Sequence, residues 1–281
     1  RQGAGRDADE HDRLGHLIAV DAVPEYLERS GRPRLAYRYT AGAGPAIVFL
    51  PGYMSDMAGG KATALFDWAA GEGHACLLLD YAGCGLSDGL FAEQALLDWR
   101  GDVLDLIDAK AEGPVVIVGS SMGGWLMLLT ALALVQRDGP GRVAGLVGIA
   151  AAPDFTDWGF TPEEKAIIQA EGALVEETPY SDQPYMTTRG FFQSGEANRL
   201  LDSEIPLTCP VRLLHGEEDG DVPPDISLRL SAALASDDVE ITLIKGGDHR
   251  LLPDTDTPLP VATAARLPPP VAIRRSRLRL R

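Results

Sequence analysis

A mostly parallel α/β sheet with helices on both faces is the fold class this chain predicts, and three observations predict it. Short apolar runs alternate with helical patterns over most of the length. Prolines sit at the ends of those runs, with Pro114 and Pro210 before strands and Pro153 after one, where a missing N–H costs little. At 281 residues and 45% hydrophobic, the chain can bury the core of one large domain.

In order, the predicted strands are Leu35 to Thr40, Ala46 to Leu50, Ala75 to Asp80, Val115 to Gly119, Leu146 to Ile149, Val211 to His215 and Ile241 to Ile244. Helical patterns run from Lys61 to Ala70, Phe91 to Ala111, Trp125 to Val135 and Ile226 to Ala235. The rhythm breaks between about 154 and 204, a stretch rich in aromatics and turns without a strong strand. An insertion there would lie over the carboxyl ends of the strands as a lid, the edge at which open α/β sheets bind ligands. The predicted organisation is an N-terminal extension (1–24), a core (25–153 and 205–257), a lid (154–204) and a Pro/Arg-rich, weakly ordered C-terminal tail (258–281). Pro258, Pro260 and Pro268 to Pro270 forbid a long closing helix there.

The net charge is −16, although six arginines (Arg266, Arg274, Arg275, Arg277, Arg279, Arg281) crowd the tail with no acid between them. A body this acidic repels polyanions, which argues against nucleic acid as a partner. No apolar run approaches the length of a membrane span, and residues 1–13 lack a secretory apolar region, so the expectation is a cytoplasmic protein, monomer or homodimer. The three cysteines are too few and too scattered for a disulfide framework or zinc cluster. Cys76 and Cys209 read as buried small hydrophobes, whereas Cys84, in a glycine-rich turn, is expected to be partly exposed. No metal-ligand spacing, phosphate loop or dinucleotide turn occurs, so neither metal nor cofactor is expected.

The chemistry centres on Gly119-Ser120-Ser121-Met122-Gly123, the G-x-S-x-G elbow, here with a strand before it and a helix after it. A serine hydroxyl is a weak nucleophile at neutral pH and requires a base within hydrogen-bond reach, itself oriented by a third group. The candidate base is His249, in a glycine-containing loop after the last strand. The acid should follow the penultimate strand, in Gly216-Glu217-Glu218-Asp219-Gly220-Asp221-Val222-Pro223; Asp219 fits best and Asp221 is its rival. His215, at a strand end, reads as structural. The oxyanion of an acyl-transfer intermediate needs two aligned donors, assigned to the backbone N–H groups of Met122 and Tyr53. Gly52 lets backbone approach substrate closely, and Trp158, Phe160, Tyr185 and Phe191 of the lid are expected to contact an apolar acyl group. Arg189 is a candidate partner for a substrate carboxylate.

With these residues in view, the chain resembles an α/β-hydrolase. The segments Phe49-Leu50-Pro51-Gly52-Tyr53-Met54-Ser55, Asp80-Tyr81-Ala82-Gly83, Gly119 to Met127, Cys209 to Gly216 and Gly247-Asp248-His249-Arg250 are similar to the mitochondrial palmitoyl-protein thioesterase family, also called mycophenolic acid acyl-glucuronide esterases, and its bacterial relatives. The likeness spans roughly 25–250. It implies Ser121 as nucleophile, Asp219 as acid and His249 as base, acting on acyl esters or thioesters. The expected function is therefore a serine carboxylesterase for short- to medium-chain acyl esters, with thioesters and acyl glucuronides as further substrates. The alternatives are a C–C bond hydrolase or lipase-like enzyme on the same triad, or a catalytically silent ligand-binding protein.

Overall fold

The computed structural model describes residues 23–178 and 184–251. The predicted tail, the extension up to residue 22, and the lid's Tyr180 lie outside them.

Eight strands form one sheet in the order β1-β2-β4-β3-β5-β6-β9-β10. These are β1 (Glu25–Leu27), β2 (Leu35–Thr40), β3 (Ala43–Leu50), β4 (His74–Leu79), β5 (Val115–Ser120), β6 (Val143–Ile149), β9 (Val211–Gly216) and β10 (Val239–Ile244). From β4 to β10 neighbours pair in parallel, while β1 and β2 pair antiparallel at one edge. The central strands are buried on both faces, which is why β5 reads Val115-Val116-Ile117-Val118 with no alternation. Helices α1 (Gly60–Gly71), α2 (Leu96–Lys110), α3 (Met122–Asp138) and α7 (Asp225–Ala233) cover the two faces. Two cores result: one holds Leu50, Leu77, Ile117, Trp99 and Trp125, the other Phe49, Phe66, Val118 and Ile149 on the opposite face.

The helix predicted from Phe91 to Ala111 is broken. A short 3₁₀ turn, Phe91–Glu93, is followed by extended Gln94 and Ala95, and α2 starts at Leu96. The Asp98 carboxylate accepts the Ala95 N–H at 2.9 Å, so the side chain sets a helix start inside the apolar pattern. Cys84 is buried, not partly exposed, because the turn that carries it folds inward. There the buried Asp80 carboxylate accepts the N–H groups of Met57 (2.7 Å) and Leu86 (2.8 Å).

Between β6 and β9 lie α4 (Phe155–Trp158), α5 (Pro162–Glu171), β7 (Ala173–Glu176), β8 (Tyr185–Thr188) and α6 (Arg189–Glu196). β7 and β8 form an antiparallel hairpin, Ala173 opposite Thr188 and Glu176 opposite Tyr185, in a stretch read as lacking strong strands. Thr161 opens α5 through a capping box with Glu164, and the Thr188 hydroxyl accepts the Phe191 N–H at the start of α6. One buried carboxylate ties the two ends of the insertion together. Asp154, left-handed at φ 58°, accepts the N–H groups of Leu200 at 2.8 Å and Leu201 at 2.7 Å.

Candidate active site

The elbow is held open by backbone contact. Ser121 adopts φ 52°, ψ −120°, sparsely populated for a residue with a side chain and maintained only where the surroundings enforce it. They do so here: its N–H donates to Ile149 O (2.9 Å) and its carbonyl accepts Ala152 N–H (3.0 Å) and Gly124 N–H (2.8 Å). A β-carbon on Gly119 would stand 2.3 Å from Gly123 O, and one on Gly123 would stand 2.1 Å from Leu50 O. Only glycines let α3 begin this close to β5 and to the exit of β3. Met122 is the first residue of α3, so its N–H has no acceptor within the helix and sits at the positive end of the helix dipole. The loop leaving β3 is braced by Tyr81, whose buried hydroxyl donates to Pro51 O at 3.0 Å.

The candidate acid and base follow the ends of β9 and β10. Gly216 ends β9, and a β-carbon there would lie 2.2 Å from Gly247 O, so the two loops touch backbone to backbone. Glu218 N–H donates to Gly247 O at 2.9 Å and Glu217 N–H to Ile244 O at 3.0 Å. Across this junction His249 Nδ1 meets Asp219 Oδ2 at 2.9 Å. The other carboxylate oxygen accepts the N–H groups of Val222 (2.8 Å) and Asp221 (3.0 Å). Burial alone would raise the Asp219 pKa. Hydrogen bonds from His215, His249 and the Val222 N–H outweigh it and hold the carboxyl well below its usual range. Asp219, Asp221 and His249 bring potential metal ligands together, but both Asp219 oxygens already face N–H donors.

Ser121 and His249 line one cleft of about 690 Å³ at the carboxyl edge of the sheet. Its walls differ. Phe155, Trp158, Phe160 and Tyr185 of the lid give it apolar surface, with Glu176 and Thr187 of the hairpin among them; away from the lid it is lined by His249 and by the charged groups Lys61, at the start of α1, Asp56, Asp221 and Arg250. Lys61 makes no hydrogen bond or ion pair among the described residues, and burial pushes its pKa down against the opposing pull of Asp248. Tyr53 lines the cleft and its hydroxyl donates to Met186 O of β8 at 2.7 Å. Its ring packs among Phe91, Trp99, Phe155, Tyr185 and Phe191.

The structure therefore brings Ser121, Asp219, His249, Met122, Tyr53, Gly52, Trp158, Phe160 and Tyr185 to one cleft or its immediate support. Phe191 is elsewhere: it is buried behind Tyr53, against Trp99 and Phe155, because α6 turns that face to the core. Arg189 also lies apart, its guanidinium donating to Gln169 O on the lid surface. Sequence reasoning missed Lys61 and Phe155. The Gly59-Gly60 pair before Lys61 marks a helix start, but nothing in the sequence says that this start faces the elbow.

This fold and site define an α/β-hydrolase. A family model described as the alpha/beta hydrolase family matches residues 47–265, and the chain belongs to that family and is a hydrolase. Two curated relatives are similar to it over most of their length. The mouse palmitoyl-protein thioesterase ABHD10, mitochondrial, is 42% identical over 242 residues, covering 85% of this chain and 80% of its own. The human protein of the same name is 41% identical over 242 residues, covering 85% and 78%. Among solved structures, mouse alpha/beta hydrolase domain-containing protein 10 superposes with a TM-score of 0.78 at 40% identity, covering 87% of this chain and 97% of that one. A protein from Agrobacterium vitis S4 gives 0.79 at 34% identity, covering 88% and 99%.

The expected cytoplasmic location is overturned by these relatives, which are named as mitochondrial. Charge and hydropathy bear on solubility, whereas an address is written in a separate targeting segment that the composition of a folded domain does not report. No helix among the described residues is long and apolar enough to cross a membrane.

Proposed function

We propose that this hydrolase is a serine esterase that cleaves short- to medium-chain acyl esters and thioesters through an acyl-enzyme. Ser121 Oγ attacks the carbonyl carbon while its proton passes to His249 Nε2; Asp219 holds the imidazole through Nδ1. The carbonyl oxygen becomes an oxyanion and takes hydrogen bonds from the N–H groups of Met122 and Tyr53. Collapse of this intermediate breaks the bond to the leaving oxygen or sulfur, which takes the proton from Nε2. Water then repeats the sequence on the acyl-serine, releasing the carboxylic acid and restoring the hydroxyl.

One observation carries this reading: His249, half-buried and paired at 2.9 Å with the buried Asp219 carboxylate, shares a cleft with a serine held at φ 52° on a strand-to-helix turn. Phe155, Trp158, Phe160 and Tyr185 favour an apolar acyl group on the lid side. Lys61, which lines the same cleft as His249, favours a leaving group that carries an anion, such as an acyl glucuronide. The thioesterase name of the curated relatives supports including thioesters.

The test compares p-nitrophenyl esters from acetate to palmitate, an acyl-CoA and an acyl glucuronide, with fluorophosphonate labelling alongside. Ser121→Ala should lose activity by about 10⁴-fold or more and lose the label. Lys61→Ala should raise KM for the glucuronide roughly tenfold and leave p-nitrophenyl acetate unchanged. An unlabelled wild-type protein, or a Ser121→Ala variant that still turns over, would overturn the reading.

A further inference from the structure

We propose that His215 is a positioning residue of the active site, a second imidazole that shares the Asp219 carboxylate with His249. The inference rests on the triad reading above and assigns a part to a residue that, from its place at a strand end, reads as structural.

His215 Nε2 lies 3.3 Å from Asp219 Oδ2, the same oxygen that faces His249 Nδ1 at 2.9 Å, and 2.8 Å from Val222 O. Both neighbours of Nε2 can only accept, so Nε2 carries the proton; it donates to Val222 O and presents the same N–H edge to Asp219 Oδ2 at the longer distance. Nδ1 then accepts the hydroxyl hydrogen of Ser227, at 2.7 Å. His215, Ser227 and Asp219 are all buried, so this arrangement is shielded from water and fixed in one tautomer. A chain of polar contacts results, from Ser227 on α7 through His215 at the end of β9 to Asp219 Oδ2, the oxygen that also faces His249.

The arrangement has a functional consequence that simple packing lacks. A donor on Oδ2 draws negative charge from the oxygen that supports His249, so it lowers the carboxylate's basicity as well as aiming it. With that donor removed, Asp219 would be more basic, would hold a protonated His249 more firmly, and would move the acid limb of the rate profile to higher pH. Lys61, Asp221, Asp248 and Arg250, the other charged groups near the pair, are untouched by the change.

The experiment uses the full chain and p-nitrophenyl acetate, with kcat and KM measured from pH 5 to 9 and Tm recorded for each variant. His215→Leu should lower kcat about tenfold with little change in KM and shift the acid limb upward, since a hydrogen bond to a charged acceptor is worth roughly tenfold or more in an equilibrium constant. His215→Gln returns an N–H close to the Nε2 position and should restore both kcat and the limb. Ser227→Ala, which removes only the partner that fixes the tautomer, should give a smaller shift in the same direction, and it decides the matter if His215→Leu does not fold. An unmoved acid limb in folded His215→Leu and in Ser227→Ala would overturn the proposal, as would a His215→Gln variant no better than His215→Leu. The triad reading fails separately: Ser121→Ala would then remain active or the wild type would escape fluorophosphonate.

Discussion

The carboxyl edge of the sheet and the lid above it are built by opposite means. At the edge, main chain touches main chain: Gly119 meets the Gly123 carbonyl, Gly123 meets Leu50 O, and Gly216 meets Gly247 O, each with no room for a β-carbon. The lid is held by side chains, with ring contacts between 5.0 and 6.2 Å around Tyr53 and Phe155 and single hydrogen bonds such as Thr156 Oγ1 to Glu196 Oε1 at 2.8 Å. Backbone contact has one solution, whereas side-chain packing has many. The geometry of the proposed chemistry is thus rigid and its choice of substrate adjustable.

The sharpest way to break this contrast is to add one carbon at the edge. Gly123→Ala must move either α3 or the β3 exit loop, because the new β-carbon would sit 2.1 Å from a backbone oxygen. It should destabilise the protein by about 4 kcal/mol or more, read as a lost or much lowered Tm, and abolish fluorophosphonate labelling. Gly216→Ala attacks the other junction and would part the His249 loop from Asp219. The fold tolerates this better, since Gly216 is the last residue of β9 and Gly247 lies in the loop after β10, but kcat should fall about 10²-fold for a displacement near 1 Å. Near-wild-type kcat in a folded Gly216→Ala protein would show that the junction does not set the acid–base pair.

The same division decided what could be read in advance. The parallel strands were legible because burial on both faces leaves unbroken apolar runs, as in Val115 to Val118 or Leu77 to Leu79. The pairing of Asp219 with His249 was legible because the two follow neighbouring strands, β9 and β10, at one edge of the sheet. The lid was legible only as an interruption. β7 and β8 have four residues each and gain their identity from pairing with one another, a long-range fact that local pattern does not carry. Phe191 was eligible by composition to face a ligand, yet a helix of eight residues set between Trp99 and Phe155 turns it inward. Lys61 and the contact of His215 with Asp219 depend on how separate loops converge, which no spacing within one segment encodes. β1, three residues with two of them exposed, offers too little apolar surface to signal a strand.

A change in the lid should act on substrate choice and spare the chemistry. Trp158 lines the cleft and its indole N–H donates to Pro153 O at 2.8 Å, which fixes the ring at the mouth of the apolar wall. Each methylene buried there is worth about 0.8 kcal/mol, roughly a fourfold gain in kcat/KM per carbon. Trp158→Ala should flatten that rise along a p-nitrophenyl series while leaving the acetate ester within about twofold. An unchanged slope would mean that the acyl chain runs elsewhere, and a uniform loss would mean that the lid supports the chemistry after all.

The smallest effect is expected where the two regions meet. Tyr53 belongs to both: it follows Gly52, where a β-carbon would stand 3.4 Å from Ser121 Cβ, and its hydroxyl donates to Met186 O of the lid hairpin. Tyr53→Phe removes one hydrogen bond and keeps the ring among its aromatic neighbours, a cost of about 1 kcal/mol. That corresponds to a Tm lower by about 2–4 °C for a domain of this size. Hydrogen exchange should quicken in β8, since the carbonyl there loses its partner, while kcat on the acetate ester stays near wild type because the aromatic cluster still positions the loop. If kcat fell tenfold with KM unchanged, the hydroxyl would be holding the Tyr53 N–H in place through the lid. The separation between rigid chemistry and adjustable recognition would then fail at the one residue that spans them.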